Sequence, residues 1–270
     1  MRSAEAQASA IGKVIFAMKY YCLTDTGSVR STNEDFVFAS DKSVGSLGNL
    51  FIVADGMGGE AAGDYASEFA VKKVVELLRK TDSEFLKEDG VASLIRDAIS
   101  EANWQLFEAA RSDASKNGMG TTLVVATFLD GHMHVANIGD SRLYVQRGGN
   151  IYQITLDHSY VQEMVRNGEI TEEAAKNHKY RNRITRAVGV ETMVHADYFD
   201  VPVGDLDRVL MCTDGLTNMV DDDEISSVLS NGEEVSAQAK TLLDKALAAG
   251  GRDNITMIVI DPRAGEETRC

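Results

Sequence analysis

Phe51-Ile52-Val53-Ala54-Asp55-Gly56-Met57-Gly58-Gly59 is the stretch around which the rest of this 270-residue chain is organised. Its first four residues are apolar and include β-branched and aromatic side chains, which predicts a strand buried on both faces. The strand ends at an acid, and the glycines that follow let the backbone approach a ligand closely. A carboxylate in this position is suited to holding a cation or a phosphate group.

Three other interpretations of the stretch compete with a metal site. Asp-Gly is also a preferred two-residue hairpin turn, and the chain repeats it at Asp89-Gly90 and Asp130-Gly131. Gly58-Gly59 also suits a plain loop before a helix. The third is a dinucleotide fingerprint, Gly56-x-Gly58-x-x-Ala61, with Glu76 about twenty residues on. We discard the fingerprint because two consecutive helices follow the strand and Glu76 falls inside the first of them, so the required βαβ unit is missing.

Composition limits the class of protein. At 44% hydrophobic residues, the chain is long enough to bury a full core. A net charge of −15 argues against nucleic acid or an anionic membrane as a partner. The three cysteines, Cys22, Cys212 and Cys270, lack metal-type spacing and predict a reducing compartment without a disulfide framework. No apolar run approaches the ~20 residues of a membrane span, and we therefore expect a cytoplasmic protein.

Hydrophobic periodicity predicts both helices and antiparallel strands. Apolar residues recur at helical spacing up to Lys80, in 91–111 and in 234–249. Two hairpins, 123–129 with 133–138 and 142–145 with 151–155, indicate antiparallel sheet. The polar segment 160–182 is predicted to run over the surface. We expect residues 1–17 to be a poorly ordered extension, 18–262 to form one domain, and 263–270 to be a polar tail.

Acidic residues recur at the ends of the predicted strands, namely at Glu34-Asp35, Asp55, Asp140, Asp214 and Asp253. If strand ends meet at one edge, their carboxylates repel each other unless protons or cations intervene. Carboxylate, carbonyl and water ligands suit Mg²⁺ or Mn²⁺, whereas the five scattered histidines argue against zinc. Two such ions about 4 Å apart bind a phosphate and generate a nucleophile from water. Arg30 is positioned in the sequence to clamp the phosphate as a fork donor.

Another acidic run, Asp221-Asp222-Asp223-Glu224, also has the composition of a metal cluster. Acids at the N-terminus of a helix complement its dipole, and a helix is predicted directly after this run. We therefore favour a helix start over a metal site here.

Eight motifs, in this order, resemble those of the PP2C-type (PPM) metal-dependent serine/threonine protein phosphatases, above all the compact bacterial members. The resemblance spans about residues 19–260. Each motif alone is weak evidence for the family, whereas all eight motifs in this order are highly specific for it. The motifs are Arg30-Ser31-Thr32-Asn33-Glu34-Asp35, Asp55-Gly56-Met57-Gly58-Gly59, Gly120-Thr121-Thr122, Asn137-Ile138-Gly139-Asp140-Ser141-Arg142, Asp157-His158-Ser159, Ile184-Thr185-Arg186-Ala187-Val188-Gly189, Thr213-Asp214-Gly215-Leu216 and Arg252-Asp253-Asn254.

The resemblance implies an α+β fold in which a sandwich of two antiparallel sheets is flanked by helices, giving four layers, α-β-β-α. It also implies two Mn²⁺ or Mg²⁺ ions, a third and weaker one, and attack of a metal-bridging water on phosphoserine or phosphothreonine in proteins. The segment 160–182 is then a flap over the active-site channel that contacts protein substrates. By this resemblance Asp55 bridges both ions, Asp214 and Asp253 complete the first site, and the Gly56 carbonyl is a ligand of the second ion. Glu34 and Asp35 act through bound water, and Asp140 with Asp214 forms the third site. Arg30 holds the substrate phosphate.

The chain departs from the family pattern at one point that bears on mechanism. The family commonly has a histidine near the Asp-Gly motif, where Met57 and Glu60 stand here. The general acid is therefore unassigned between a metal-bound water and Glu60, with His178 as a weaker candidate. A non-catalytic, metal-binding pseudophosphatase scaffold and a phosphatase of a partner-switching pathway are the competing functions.

The resemblance also sets the expected partners. We expect a monomer that reverses signalling by a serine/threonine kinase, with phosphorylated proteins, including such a kinase, as its substrates. Neither nucleic acid nor a membrane is expected as a partner.

Overall fold

A computed structural model of the chain describes residues 18–58, 62–82, 90–204, 208–262 and 268–269. The expected extension at residues 1–17, the candidate acid Glu60 and most of the predicted tail lie outside the described residues. The fold and site below concern the described part of the chain.

Two sheets form the centre of the molecule, and every strand pair but one is antiparallel. The first sheet has the order β12-β1-β11-β10-β7-β8 and the second the order β2-β3-β5-β6-β9, with β4 paired to β3. The exception is β12, which runs parallel to β1. The strands are β1 Lys19–Asp25, β2 Asp35–Ser40, β3 Leu50–Met57, β4 Gly120–Thr121, β5 Leu123–Leu129, β6 His132–Ile138, β7 Arg142–Arg147, β8 Asn150–Gln153, β9 Asp197–Pro202, β10 Arg208–Cys212, β11 Ile255–Asp261 and β12 Thr268–Arg269.

Helices cover the outer face of each sheet. The described helices are α1 Gly63–Arg79, α2 Gly90–Ser112, α3 Tyr160–Arg166, α4 Glu172–Lys176, α5 Asp214–Thr217, α6 Asp222–Leu229 and α7 Val235–Ala248, with a 3₁₀ turn at Ala114–Lys116. One apolar cluster joins α1 and α2 to the second sheet, and another joins α5, α6 and α7 to the first. A third cluster fills the space between the sheets. The expected four-layer architecture is therefore confirmed.

The strand that opened the sequence analysis is buried on both faces, as expected. Phe51 and Val53 point into the cluster between the sheets, whereas Ile52 and Ala54 pack beneath α1 and α2. All four side chains are fully buried. Because side chains alternate across a strand, only an apolar run such as this one fits between two hydrophobic layers.

Local signals at turns and helix ends also act as expected. Asp130 and Gly131 both have positive φ, 51° and 79°, as a tight two-residue hairpin turn requires. The Asp221 side chain accepts a hydrogen bond from the Glu224 N–H and caps α6, so the helix interpretation of that acidic run is confirmed. Thr171 caps α4 in the same way.

The cysteines differ in part from expectation. Cys212 is free and buried in β10, but Cys22 is disulfide-bonded, so the prediction of cysteines without disulfide bonds is wrong for that residue. Separately, none of the described helices has the length and apolar character that crossing a membrane requires.

Candidate metal centre

The topology brings the predicted acidic residues to one end of the sandwich. Asp35 begins β2 and pairs directly with Asp55 of β3. Asp140 follows the end of β6, Asp214 follows β10 as the first residue of α5, and Asp253 precedes β11. Because the strands are antiparallel, residues that end one strand and begin the next meet at the same edge.

These strand ends surround a cavity of about 240 Å³. Seven of the eight predicted site residues line it, namely Arg30, Glu34, Asp55, Gly56, Asp140, Asp214 and Asp253. The eighth, Asp35, is not part of the wall and lies buried next to Asp55. Met57, Gly58, Thr122, Asn182, Ile184 and Asn254 complete the lining.

Three carboxyl groups of the cavity, those of Asp55, Asp140 and Asp214, lie close to other acids and largely out of solvent, and this raises their pKa values. For Asp55, burial raises the pKa well above its usual range, and the charges of Asp35, Asp214, Asp140 and Asp253 raise it further. Burial is also the largest cause for Asp140, followed by Asp214, and for Asp214, followed by Asp253. Such a cluster retains protons unless cations take their place.

Asp35 lacks one hydrogen-bond partner although it is buried. The Thr213 hydroxyl donates to its Oδ2 at 2.9 Å, whereas its Oδ1 has no partner. Burial, opposed by the hydrogen bonds from Thr256 and Thr213, raises its pKa to about 7. An unpartnered buried carboxylate oxygen is unusual in folded proteins and fits a group that faces an ion or its water.

Arg30 reaches the cavity from the loop between β1 and β2. Its Nη2 donates to Asp253 Oδ2 at 2.9 Å, and about half of the side chain (51%) remains exposed. The guanidinium is therefore anchored on one side by a carboxylate, while other N–H groups stay available to a phosphate.

Glycines allow the backbone to close around the carboxylates. A Cβ on Gly56 would lie 2.0 Å from the Gly63 carbonyl oxygen, and one on Gly215 would lie 1.9 Å from the Asn254 carbonyl oxygen. A Cβ on Gly63 would lie 2.7 Å from the Glu34 carboxylate. The glycine after each Asp is thus required by close packing, and neither Asp55-Gly56 nor Asp214-Gly215 is a hairpin turn.

Asn254 organises the site although the sequence assigned it no role. Its Oδ1 accepts a hydrogen bond from the Glu34 N–H at 2.9 Å, and its Nδ2 donates to the carbonyls of Thr26 and Thr32. Asn254 therefore ties the loop that carries Arg30 and Glu34 to the start of β11. In the sequence Asn254 stands out as the last residue of the motif Arg252-Asp253-Asn254, but its role is not visible there because tertiary hydrogen bonds of this kind have no spacing rule.

The donor set fits hard divalent cations. The cavity presents carboxylates from several elements, and none of the described cysteines or histidines lines it. Among the residues that the structure describes, no three acidic, cysteine or histidine side chains make a complete ligand set for one ion. The carboxylates line a wall, an arrangement suited to ions whose remaining ligands are water and backbone carbonyl oxygens, as Mg²⁺ prefers.

The described histidines do not fill the place of the missing family histidine. Met57 lines the cavity where the family pattern suggested a histidine. His158 is buried, and its Nδ1 accepts a hydrogen bond from the Gly139 N–H at 3.0 Å, so it stabilises the fold. His178 packs against the rings of Tyr160 and Tyr180.

Comparison with known proteins gives consistent matches. Residues 28–249 match the family model described as Protein phosphatase 2C. The serine/threonine phosphatase stp of Listeria welshimeri is 41% identical over 240 residues, which cover 88% of this chain and 93% of that protein. The S. agalactiae serine/threonine phosphatase structure superposes with a TM-score of 0.83 at 34% identity, covering 90% of this chain and 98% of the other. The catalytic domain of the phosphatase PstP in complex with two manganese ions has a TM-score of 0.76 at 33% identity, with 90% and 97% covered.

Proposed function

Because the chain belongs to the protein phosphatase 2C family and is a serine/threonine protein phosphatase, we propose that its acidic cavity holds the ions that the reaction needs. Phosphatases of this family are metal-dependent, and the PstP catalytic domain binds two manganese ions. The observation that carries the proposal is the meeting of Asp55, Asp140, Asp214 and Asp253, from four separate strand ends, around one cavity.

We assign the ligands as follows. Asp55 lines the cavity, the charges of four other carboxylates act on it, and it would hold both of two Mn²⁺ or Mg²⁺ ions. Asp214 and Asp253 would contribute to the first site together with water, the Gly56 carbonyl would contribute to the second, and Glu34 and Asp35 would act through water. Asp140 with Asp214 forms a third, weaker site. When bound, the ions polarise the phosphoryl oxygens and lower the pKa of a water molecule.

The protein's own groups position the substrate. Arg30 binds the phosphate through the guanidinium N–H groups that Asp253 leaves available. Asn254 holds the loop of Arg30 and Glu34 in register with the metal ligands. Fixed donors of this kind orient the phosphate before reaction, which lowers the entropic part of the barrier.

A metal-binding assay tests the assignment independently of activity. Calorimetric titration of metal-free protein with Mn²⁺ should show two tight sites, and Asp55→Asn should lose both while the protein stays folded. Hydrolysis of a phosphothreonine peptide should be lost in the same variant. Two tight sites retained in Asp55→Asn would contradict the bridging role.

The intact ligand set also weighs against the scaffold alternative, since a non-catalytic scaffold has no need of Arg30 and all the acidic residues together. Phosphoproteins are the substrate class of a serine/threonine phosphatase. A serine/threonine kinase among them, a monomeric state and a cytoplasmic location stay predictions. Size-exclusion chromatography with light scattering tests the monomer.

A further inference from the structure

A run of basic residues borders the cavity. Residues 178–186 contain Lys179, Arg181, Arg183 and Arg186 and no acid, in a chain whose net charge is −15. Asn182 and Ile184, within this run, are part of the cavity lining. A local excess of positive charge therefore borders the cavity, although the molecule as a whole is acidic.

Three of these cations have no carboxylate partner among the described residues. Arg186 is bound to Asp197, with Nη1 2.7 Å from Oδ1. Lys179, Arg181 and Arg183 are all exposed and form no ion pair within the described part of the chain. We call these three residues the basic rim. The acids that precede it, Glu163, Glu169, Glu172 and Glu173, form no ion pair with it either.

The basic rim is held in place by contacts with the body of the protein. The Tyr160 N–H donates to the Arg183 carbonyl at 2.8 Å, and the Thr185 N–H donates to the His158 carbonyl at 2.7 Å. Tyr160, His178 and Tyr180 form a cluster of rings with centroids 5.6 to 6.4 Å apart. Lys179 lies over the Tyr180 ring and Arg183 over the Tyr160 ring. These contacts limit the entropy that the rim loses when it binds a ligand.

We propose that the basic rim binds acidic residues next to the phosphorylated serine or threonine, so that the enzyme prefers acidic phosphoprotein segments. The proposal rests on the phosphatase function and deepens it. The net charge of −15 repels acidic segments, and unpaired cations at the entrance offset that repulsion locally. Exposed charges of this kind affect encounter and selectivity more than affinity, and salt weakens them.

The test compares two phosphothreonine peptides of equal length, one with glutamates and one with lysines around the phosphothreonine. We expect kcat/KM of the full-length protein with Mn²⁺ to be higher for the glutamate peptide. In Lys179→Glu/Arg181→Glu the ratio of the two values should fall by about fivefold or more. Because the ratio is measured within one variant, a general loss of activity cancels. Lys179→Gln/Arg181→Gln should give an intermediate ratio.

A charge-matched control separates the rim from bulk charge. Lys42 lies in the β2–β3 loop at the far end of these strands from Asp35 and Asp55, and Lys240 lies within α7; both are exposed. Lys42→Glu/Lys240→Glu should keep the wild-type ratio. An equal fall in this control, or no preference in the wild type, would overturn the proposal. Absence of all phosphatase activity with Mn²⁺, including hydrolysis of p-nitrophenyl phosphate, would instead count against the proposed metal centre.

Discussion

Asp35 and Asp55 lie directly opposite each other on the neighbouring antiparallel strands β2 and β3. Asp35 is buried, Asp55 lines the cavity, and the charge of Asp35 is the largest contribution to the Asp55 pKa after burial. Like charges opposite each other destabilise a sheet. The pair therefore stores an electrostatic cost that protons or cations relieve, which links folding stability, pH and metal binding.

The first prediction concerns the pH dependence of the metal-free protein. Burial raises the pKa of Asp35 from 3.8 to about 7, so the folded state binds a proton that the unfolded state has released. This contribution to stability is complete below about pH 4 and is lost as pH rises through about 7. Between about pH 5 and pH 8 we expect the Tm of metal-free protein to fall by about 5 °C.

Differential scanning calorimetry with chelator measures this fall. Asp35→Asn should flatten much of it, and Mn²⁺ should raise Tm more at the higher pH because the ions replace protons. A Tm that stays constant or rises over this interval would contradict the described electrostatics of the site.

The second prediction concerns the central carboxylates. Asp55→Ala and Asp214→Ala should each lower kcat by about a thousandfold or more, because each removes a ligand on which the charge stabilisation of the transition state depends. Circular dichroism should show that both variants remain folded. Turnover retained in either folded variant would disprove the assignment.

The third prediction separates the weaker metal site from the tight pair. Asp140 and Asp214 line the same cavity, and the Asp214 charge is the largest contribution to the Asp140 pKa after burial. Asp140→Ala should therefore reduce turnover and leave two tight Mn²⁺ sites in a calorimetric titration. If the tight sites disappear, the division into two strong sites and one weak site is wrong.

The fourth prediction concerns the phosphate clamp. Arg30→Ala removes a charge-assisted hydrogen-bond donor, which contributes about 1.5–3 kcal/mol, so kcat/KM should fall by about 10- to 100-fold. Arg30→Lys keeps the charge but loses the fork geometry and should recover only part of the activity. Full activity in Arg30→Ala would exclude a role for Arg30 in binding the phosphate.

The fifth prediction tests Asn254, which sequence reasoning missed. Asn254→Ala removes three hydrogen bonds to the loop of Arg30 and Glu34 and should cost about 2–3 kcal/mol of stability. Asn254→Asp keeps the acceptor for the Glu34 N–H but loses the donor to Thr26 and Thr32, and should be intermediate in kcat/KM. Equal activity in all three proteins would show that the loop needs no such anchor.

Most of the fold was predictable because its signals are local. The apolar run of residues 51–54 indicated a strand that is buried on both faces. The pair Asp130-Gly131 indicated a hairpin turn, since Asp and Gly tolerate the positive φ angles that such a turn needs. Asp221 indicated a helix start because an Asp at the N-cap accepts a hydrogen bond from the N–H three residues later, here that of Glu224. The order of the four α-β-β-α layers was predicted from the family resemblance, because no local sequence pattern indicates which of the two sheets a strand joins.

The site was predictable as a set of residues but not as a geometry. Acids at strand ends indicated which side chains meet, and seven of eight line one cavity. Two features of the site depend on contacts between residues about 180 to 230 positions apart. One is the position of Asp35 behind the cavity wall, with its unpartnered oxygen, and the other is the anchoring of the Arg30 loop by Asn254. Such contacts leave no mark in the spacing of a single sequence.

Hydrolysis of a phosphothreonine peptide with Mn²⁺, with Mg²⁺ and with chelator tests the central claim most directly. The acidic cavity predicts turnover that requires an added divalent ion, disappears in chelator and returns when excess metal is restored. Turnover that persists in chelator, from protein shown by elemental analysis to be free of metal, would contradict the assignment of the cavity as the metal centre of this phosphatase.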